Sequence, residues 1–151
     1  MEDAAVAGER PDGERQPRPS FHIPVLAMAI GAFGTSVLFD LKSQPSGFQF
    51  VYAQGAWTLV GLGVLAAVVG ITLLVADIVG IDAASPSRRR ALLAMGLFDL
   101  TVAWFGFTYL NRRSTSQIPV GLTMLAISGL VVLAGLVGLV LEVRRTARTA
   151  P

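Results

Sequence analysis

The chain has 151 residues, of which 53% are hydrophobic and 15% charged, and a formal net charge of +2. With a mean hydropathy of +0.63, it is too apolar for an ordinary soluble domain. The absence of cysteine excludes disulfides, thiolate metal sites, iron–sulfur clusters and covalent c-type haem attachment. The modest positive charge sits on Lys and Arg next to apolar runs, so it reads as a topology signal rather than as an affinity for nucleic acid.

Residues 1–20 are rich in Glu, Arg, Pro and Gly and carry no apolar period. Such a segment cannot bury enough surface to offset its ordering entropy, and a disordered cytoplasmic tail is expected. The first apolar run, 21–39, is uncharged. It predicts a membrane-spanning helix over about 21–40, with Pro24 in the first turn, where its missing N–H costs nothing. A cleaved signal peptide is disfavoured by the long polar segment ahead of the run and the lack of a prompt A-x-A site. Residues 40–56 read as an outer loop, containing Pro45, Gly47 and Gly55 interspersed with Phe48, Phe50 and Tyr52. Those aromatics, with Trp57, suit a membrane–water interface. Asp40, beside Lys42, is expected to be a solvated end-of-helix charge.

The second run, 57–76, predicts a span over about 57–79 that ends at Asp77. A short turn at 80–87 leads to the third run, 91–110, and another at 111–120 to the fourth, 121–141, with a span expected over about 120–142. Each run is about the ~20 residues a helix needs to cross ~30 Å of hydrocarbon. A membrane β-barrel would instead show ~10-residue segments of alternating polarity. Short turns make successive spans antiparallel neighbours, so the expected fold is all-α: an up-down-up-down bundle of four transmembrane helices over 21–145. Residues 146–151 form a short cytoplasmic tail, and the loops hold too few residues for a second folded core.

Orientation follows from Lys and Arg near span ends. Arg10, Arg15, Arg18, Arg88, Arg89, Arg90, Arg144, Arg145 and Arg148 fall on one side, against Lys42, Arg112 and Arg113 on the other. Nine against three places both termini in the cytoplasm. The same triplet, Arg88 to Arg90, has the composition to meet anionic lipid head groups, though as a topology determinant it needs no ligand. Small residues recur four apart at Ala27 and Gly31, Ala66 and Gly70, and Ala134 and Gly138. That spacing lets helix backbones approach closely, within the bundle or between copies.

Few residues are equipped for chemistry. His22, the single histidine, suits an axial haem ligand, a proton relay or an anchor for a quinone-like head group; equally, it suits an interfacial residue at the bundle edge. Antiparallel packing brings Asp77 to the same membrane level as His22. Asp99 lies eight residues past Ala91, about 12 Å inside the third span. A carboxyl group at that depth is expected to face the bundle interior, stay protonated or take a hydrogen bond from Thr101, Thr72 or His22. His22, Asp77 and Asp99 are thus the candidate intramembrane polar cluster. Met28, Met95 and Met124 read as apolar filler. No phosphate-binding Gly-rich loop, metal-spaced His cluster or nucleophile elbow occurs, so enzymatic activity is not expected.

The run His22-Ile23-Pro24-Val25, then Leu38-Phe39-Asp40-Leu41, Ala56-Trp57, Asp77, Arg90-Ala91-Leu92-Leu93, and the fourth span with Gly135 and Gly138, resembles the bacterial domain-of-unknown-function 2231 family. The resemblance covers about residues 20–145. It implies a four-span bundle in the bacterial cytoplasmic membrane, of uncharacterised role, sometimes found alongside or joined to redox domains. A haem- or quinone-linked role for His22 is what that association implies. The family pattern commonly has further histidines where this chain has Pro17 and Arg90, and an asparagine where it has Ala94. A single histidine leaves only His–Met ligation, or one histidine from each of two subunits, so no resident cofactor is expected. Three functions follow in order of preference. First is a non-enzymatic membrane subunit or accessory protein, binding other membrane proteins or itself; then an electron carrier using His22; then a small transporter or proton conductor using Asp77 and Asp99. Against the last, neither repeated halves nor broken helices are evident in the sequence.

Overall fold

A computed structural model describes residues 20–44, 49–116 and 118–148. Among them are four helices and no strand: α1 (His22–Ser43), α2 (Gln49–Val79), α3 (Pro86–Asn111) and α4 (Leu122–Ala147). All four are long and apolar enough to cross a membrane. The expected disordered tail falls outside the described residues, apart from Ser20.

The helices overrun the expected spans, and the largest difference is in α2. It begins at Gln49, so Phe50 to Ala56, expected in an outer loop, form two further helical turns. Tyr52 packs edge-on against Phe39 with ring centroids 5.8 Å apart, and Ala53 and Ala56 are fully buried. Tertiary packing against α1 thus carries the helix past the run of uniform hydropathy. At the other end of the chain α4 continues to Ala147, past the expected span end at about 142 through Arg144 and Arg145 and into the first two residues of the expected tail. α3 starts with a conventional signal: Ser85 accepts a hydrogen bond from the Ser87 amide, and Pro86 follows in the first turn.

α1 packs most extensively on α2, and α3 on α4. The start of α1 lies beside the ends of α2 and α4, while its end lies beside the end of α3. The core is built from α1, α2 and α3, centred on Leu26, Phe33, Leu74, Phe98 and Phe105, with α4 packing the partly buried Val131, Val132 and Leu139 against it. Phe33 and Phe105 stack at 4.2 Å with their planes 6° apart, a contact worth about 1 kcal/mol beyond its buried area. Glycine makes room for this. A Cβ at Gly63 would lie 2.6 Å from the Phe33 ring, and one at Gly138 3.2 Å from the Ala94 carbonyl oxygen.

Of the small-residue pairs, Gly70 and Gly138 are buried in helix contacts, whereas Ala27 and Gly31 face outward with open space at Gly31. The outer surface is apolar nearly everywhere, with Met28, Leu65 and Leu130 each 67–70% exposed. Water would not tolerate a continuous apolar belt of this extent around a soluble monomer; hydrocarbon requires it.

Candidate functional site

Two buried ionic clusters close the two ends of the bundle. At the first, the i, i+3 spacing of Glu142 and Arg145 puts both on one face of the last turns of α4. Glu142 is fully buried. It accepts a hydrogen bond at 2.8 Å from His22 Nε2, which sits at the start of α1. It also accepts from Arg145 Nε at 2.9 and 3.0 Å, and from Arg145 Nη2. That same Nη2 donates to Asp77 Oδ2 near the end of α2. Three helices are thereby tied, α1 to α4 through the Glu142 carboxylate and α2 to α4 through the Arg145 guanidinium.

The ligand-type atoms of His22, Asp77 and Glu142 lie within 4.8 Å of one another, a spacing that would suit a cation. Arg145 already supplies the cation, however, because its guanidinium bonds both carboxylates. A metal would have to displace an arginine whose side chain is only 6% exposed. To bind iron through Nε2, His22 would have to give up its bond to Glu142, and the residue is only 2% exposed. As it stands, the cluster can hold a proton between imidazole and carboxylate and can clamp helices.

At the opposite end Asp40 of α1 and Arg112, just past α3, form a bidentate pair at 3.0 and 3.0 Å. Arg112 Nη2 also donates to the Ala53 carbonyl of α2 at 3.1 Å. The expectation that Asp40 is a solvated end-of-helix charge is therefore corrected. Asp40 is 6% exposed and faces inward, while Lys42 points out. Arg112 Nε is buried without a hydrogen-bond partner, but the fork geometry satisfies the rest of the guanidinium.

His22 and Asp77 are thus brought together through Glu142 and Arg145. Asp99 is not. The expectation that it faces the bundle interior is corrected: the inward face of α3 is taken by Ala94, Phe98, Thr101 and Phe105. One residue on from Phe98, at ~100° per residue, the chain has turned away from the core. Asp99 is exposed on the outer surface, and no hydrogen bond or ion pair reaches it from the described residues. The donors proposed for it are engaged elsewhere: Thr101 on the Leu97 carbonyl, Thr72 on the Val68 carbonyl and His22 on Glu142.

Sequence reasoning misses Glu142, Arg112 and Arg145, since all three stand at span ends, where the two arginines read as topology charges. An acid three residues before a base at the end of an apolar run, as in Glu142 and Arg145, is a usable signal for an internal pair. Comparison with protein-family models, with curated proteins and with solved structures finds no match to this chain.

Proposed function

We propose that this chain is a non-enzymatic, multi-pass integral membrane protein that serves as a subunit or accessory protein of a larger membrane assembly. Its four spans run up-down-up-down with both termini in the cytoplasm, and bacterial origin and kinship with the domain-of-unknown-function 2231 family belong to the same reading. The alternation is supported by the contacts of His22 with Glu142 and of Asp40 with Arg112. Internal pairing takes Arg145 and Arg112 out of the charge comparison. Eight cations remain against two, so the bias toward cytoplasmic termini survives.

The observation that carries the reading is Asp99. Among the described residues, every ionisable side chain that is buried in the bundle has a partner, Asp40 with Arg112 and Glu142 with His22 and Arg145, whereas Asp99 is exposed and has none. Asp99 lies thirteen residues after Pro86 and twelve before Asn111, about 18–20 Å from either end of α3. On the outer surface at that depth it would meet lipid tails, which solvate no carboxyl group. Docking against another membrane helix removes this cost. The transport reading is disfavoured because Asp77 and Asp99 do not share a face, and the haem reading because His22 is buried inside the bundle with Nε2 bonded to Glu142.

The test is extraction of the tagged protein from its own membrane in mild detergent, followed by sedimentation. Wild type should travel in a particle heavier than one chain in its micelle, and Asp99→Leu should release it. Identical, single-chain sedimentation of both proteins would refute the proposal.

A further inference from the structure

Resting on the docking reading above, we infer that the partner helix at Asp99 is α3 of a second copy, packed parallel about a two-fold axis along the membrane normal. Leu92, Gly96, Asp99, Ala103, Gly106 and Leu110 follow one another at steps of four, three, four, three and four. At ~100° per residue these six positions fall within an arc of about 80°. The stripe is opposite the buried face of Ala91, Ala94, Phe98, Thr101, Phe105 and Thr108. It is open: built Cβ atoms on Gly96 and Gly106 meet nothing within 4 Å, while Leu92 and Leu110 are 46% and 69% exposed.

Steps of four and three keep these residues on one face along the helix, the geometry a left-handed helix pair uses. Small residues on both sides of Asp99 let two backbones close in, as pairs of membrane helices require. Bulky residues at the two ends bracket the contact.

The choice of a second copy rests on depth. Whatever docks here must present a hydrogen-bonding group at the mid-height of α3. Two copies inserted in the same orientation do so by symmetry, since a two-fold axis along the normal keeps every residue at its own level. Asp99 then faces Asp99, and a carboxylic acid O–H of one donates to the carboxyl oxygen of the other. The surface is isologous and closes at two chains. α1 also presents small residues outward, at Ala27 and Gly31, but its nearby hydroxyl on Thr35 is already bonded to the Gly31 carbonyl.

The absence of cysteine makes the experiment direct. Single-cysteine variants Gly96→Cys and Ala103→Cys in the stripe, with Val68→Cys on α2 and Leu133→Cys on α4 as outward-facing references, are oxidised in native membranes. Disulfide-linked dimers are expected at 96 and 103 and not at the references. Adding Asp99→Leu to Gly96→Cys should lower the yield about tenfold, the effect of roughly one interhelical hydrogen bond at the upper end of its range. Asp99→Asn, which keeps a donor and an acceptor, should retain most of it. Equal cross-linking on all faces, or a yield indifferent to Asp99→Leu, would overturn the inference. A link from position 96 to a different protein would overturn the second copy yet leave the accessory function standing. No link at the stripe, together with single-chain sedimentation, would remove both.

Discussion

Replacing Glu142 by leucine should loosen the end of the bundle where three helices converge. The carboxylate accepts from His22 and, through both oxygens, from Arg145; all of these bonds are lost at once. Breaking a buried ion pair on one side costs about 3–5 kcal/mol in soluble proteins, whereas single interhelical hydrogen bonds in membranes average about 0.6 kcal/mol. Glu142→Leu falls between these limits, because Arg145 keeps Asp77, whose side chain is 35% exposed and so remains partly solvated. We expect about 2 kcal/mol, roughly a 30-fold shift toward the unfolded state. The double variant Glu142→Leu with Arg145→Met should be less damaged than the single one, since it removes the buried guanidinium together with the buried carboxylate and leaves only Asp77, 35% exposed and so partly solvated, without its partner. Reversible unfolding of the protein in mixed detergent–lipid micelles measures both. A single-variant cost below about 0.5 kcal/mol, or a double variant worse than the sum of its parts, would show that the cluster does not clamp the helices.

The same logic at the opposite end predicts that Arg112→Met destabilises more than Arg112→Met combined with Asp40→Leu, read in the same unfolding assay. Gly138→Val should cost about 1–3 kcal/mol by forcing α4 away from the rigid Ala94 carbonyl, whereas Gly31→Val, with nothing within 4 Å, should leave the stability of the isolated chain unchanged. Cysteines at Ser20 and Arg148 should react with an impermeant maleimide only after the cytoplasmic face is opened, and one at Arg113 before it; the reverse pattern would invert the topology. An absorption spectrum of the purified protein, grown with haem precursor, should show only the aromatic band of Trp57, Trp104, Tyr52 and Tyr109. A Soret band lost in His22→Ala would instead restore the redox reading.

The helices were legible because hydropathy over ~20 residues is a strong, additive signal. Their ends were not. Gln49 to Ala56 of α2 and Glu142 to Ala147 of α4 are helical through contacts with residues distant in the chain, such as Phe39 and His22, which no local pattern encodes. The polar cluster was half legible. Membrane level is enough to bring His22 and Asp77 near each other, but the residues that join them, Glu142 and Arg145, read locally as the polar flank of a span. Asp99 was singled out by its depth along the span, and its rotation about the helix axis was misplaced. Choosing which side of α3 faces inward requires weighing two stripes, one with Phe98 and Phe105 and one with Gly96 and Ala103. Both repeat every seven residues, and only packing decides between them.

The most direct single measurement is the mass of the particle released intact from lipid nanodiscs, compared between wild type and Asp99→Leu. A wild-type assembly heavier than one 15.9 kDa chain, collapsing to that mass when Asp99 becomes leucine, is the expected result. A wild-type particle of a single 15.9 kDa chain, unchanged by the substitution, would contradict the role assigned to Asp99 and with it the accessory function.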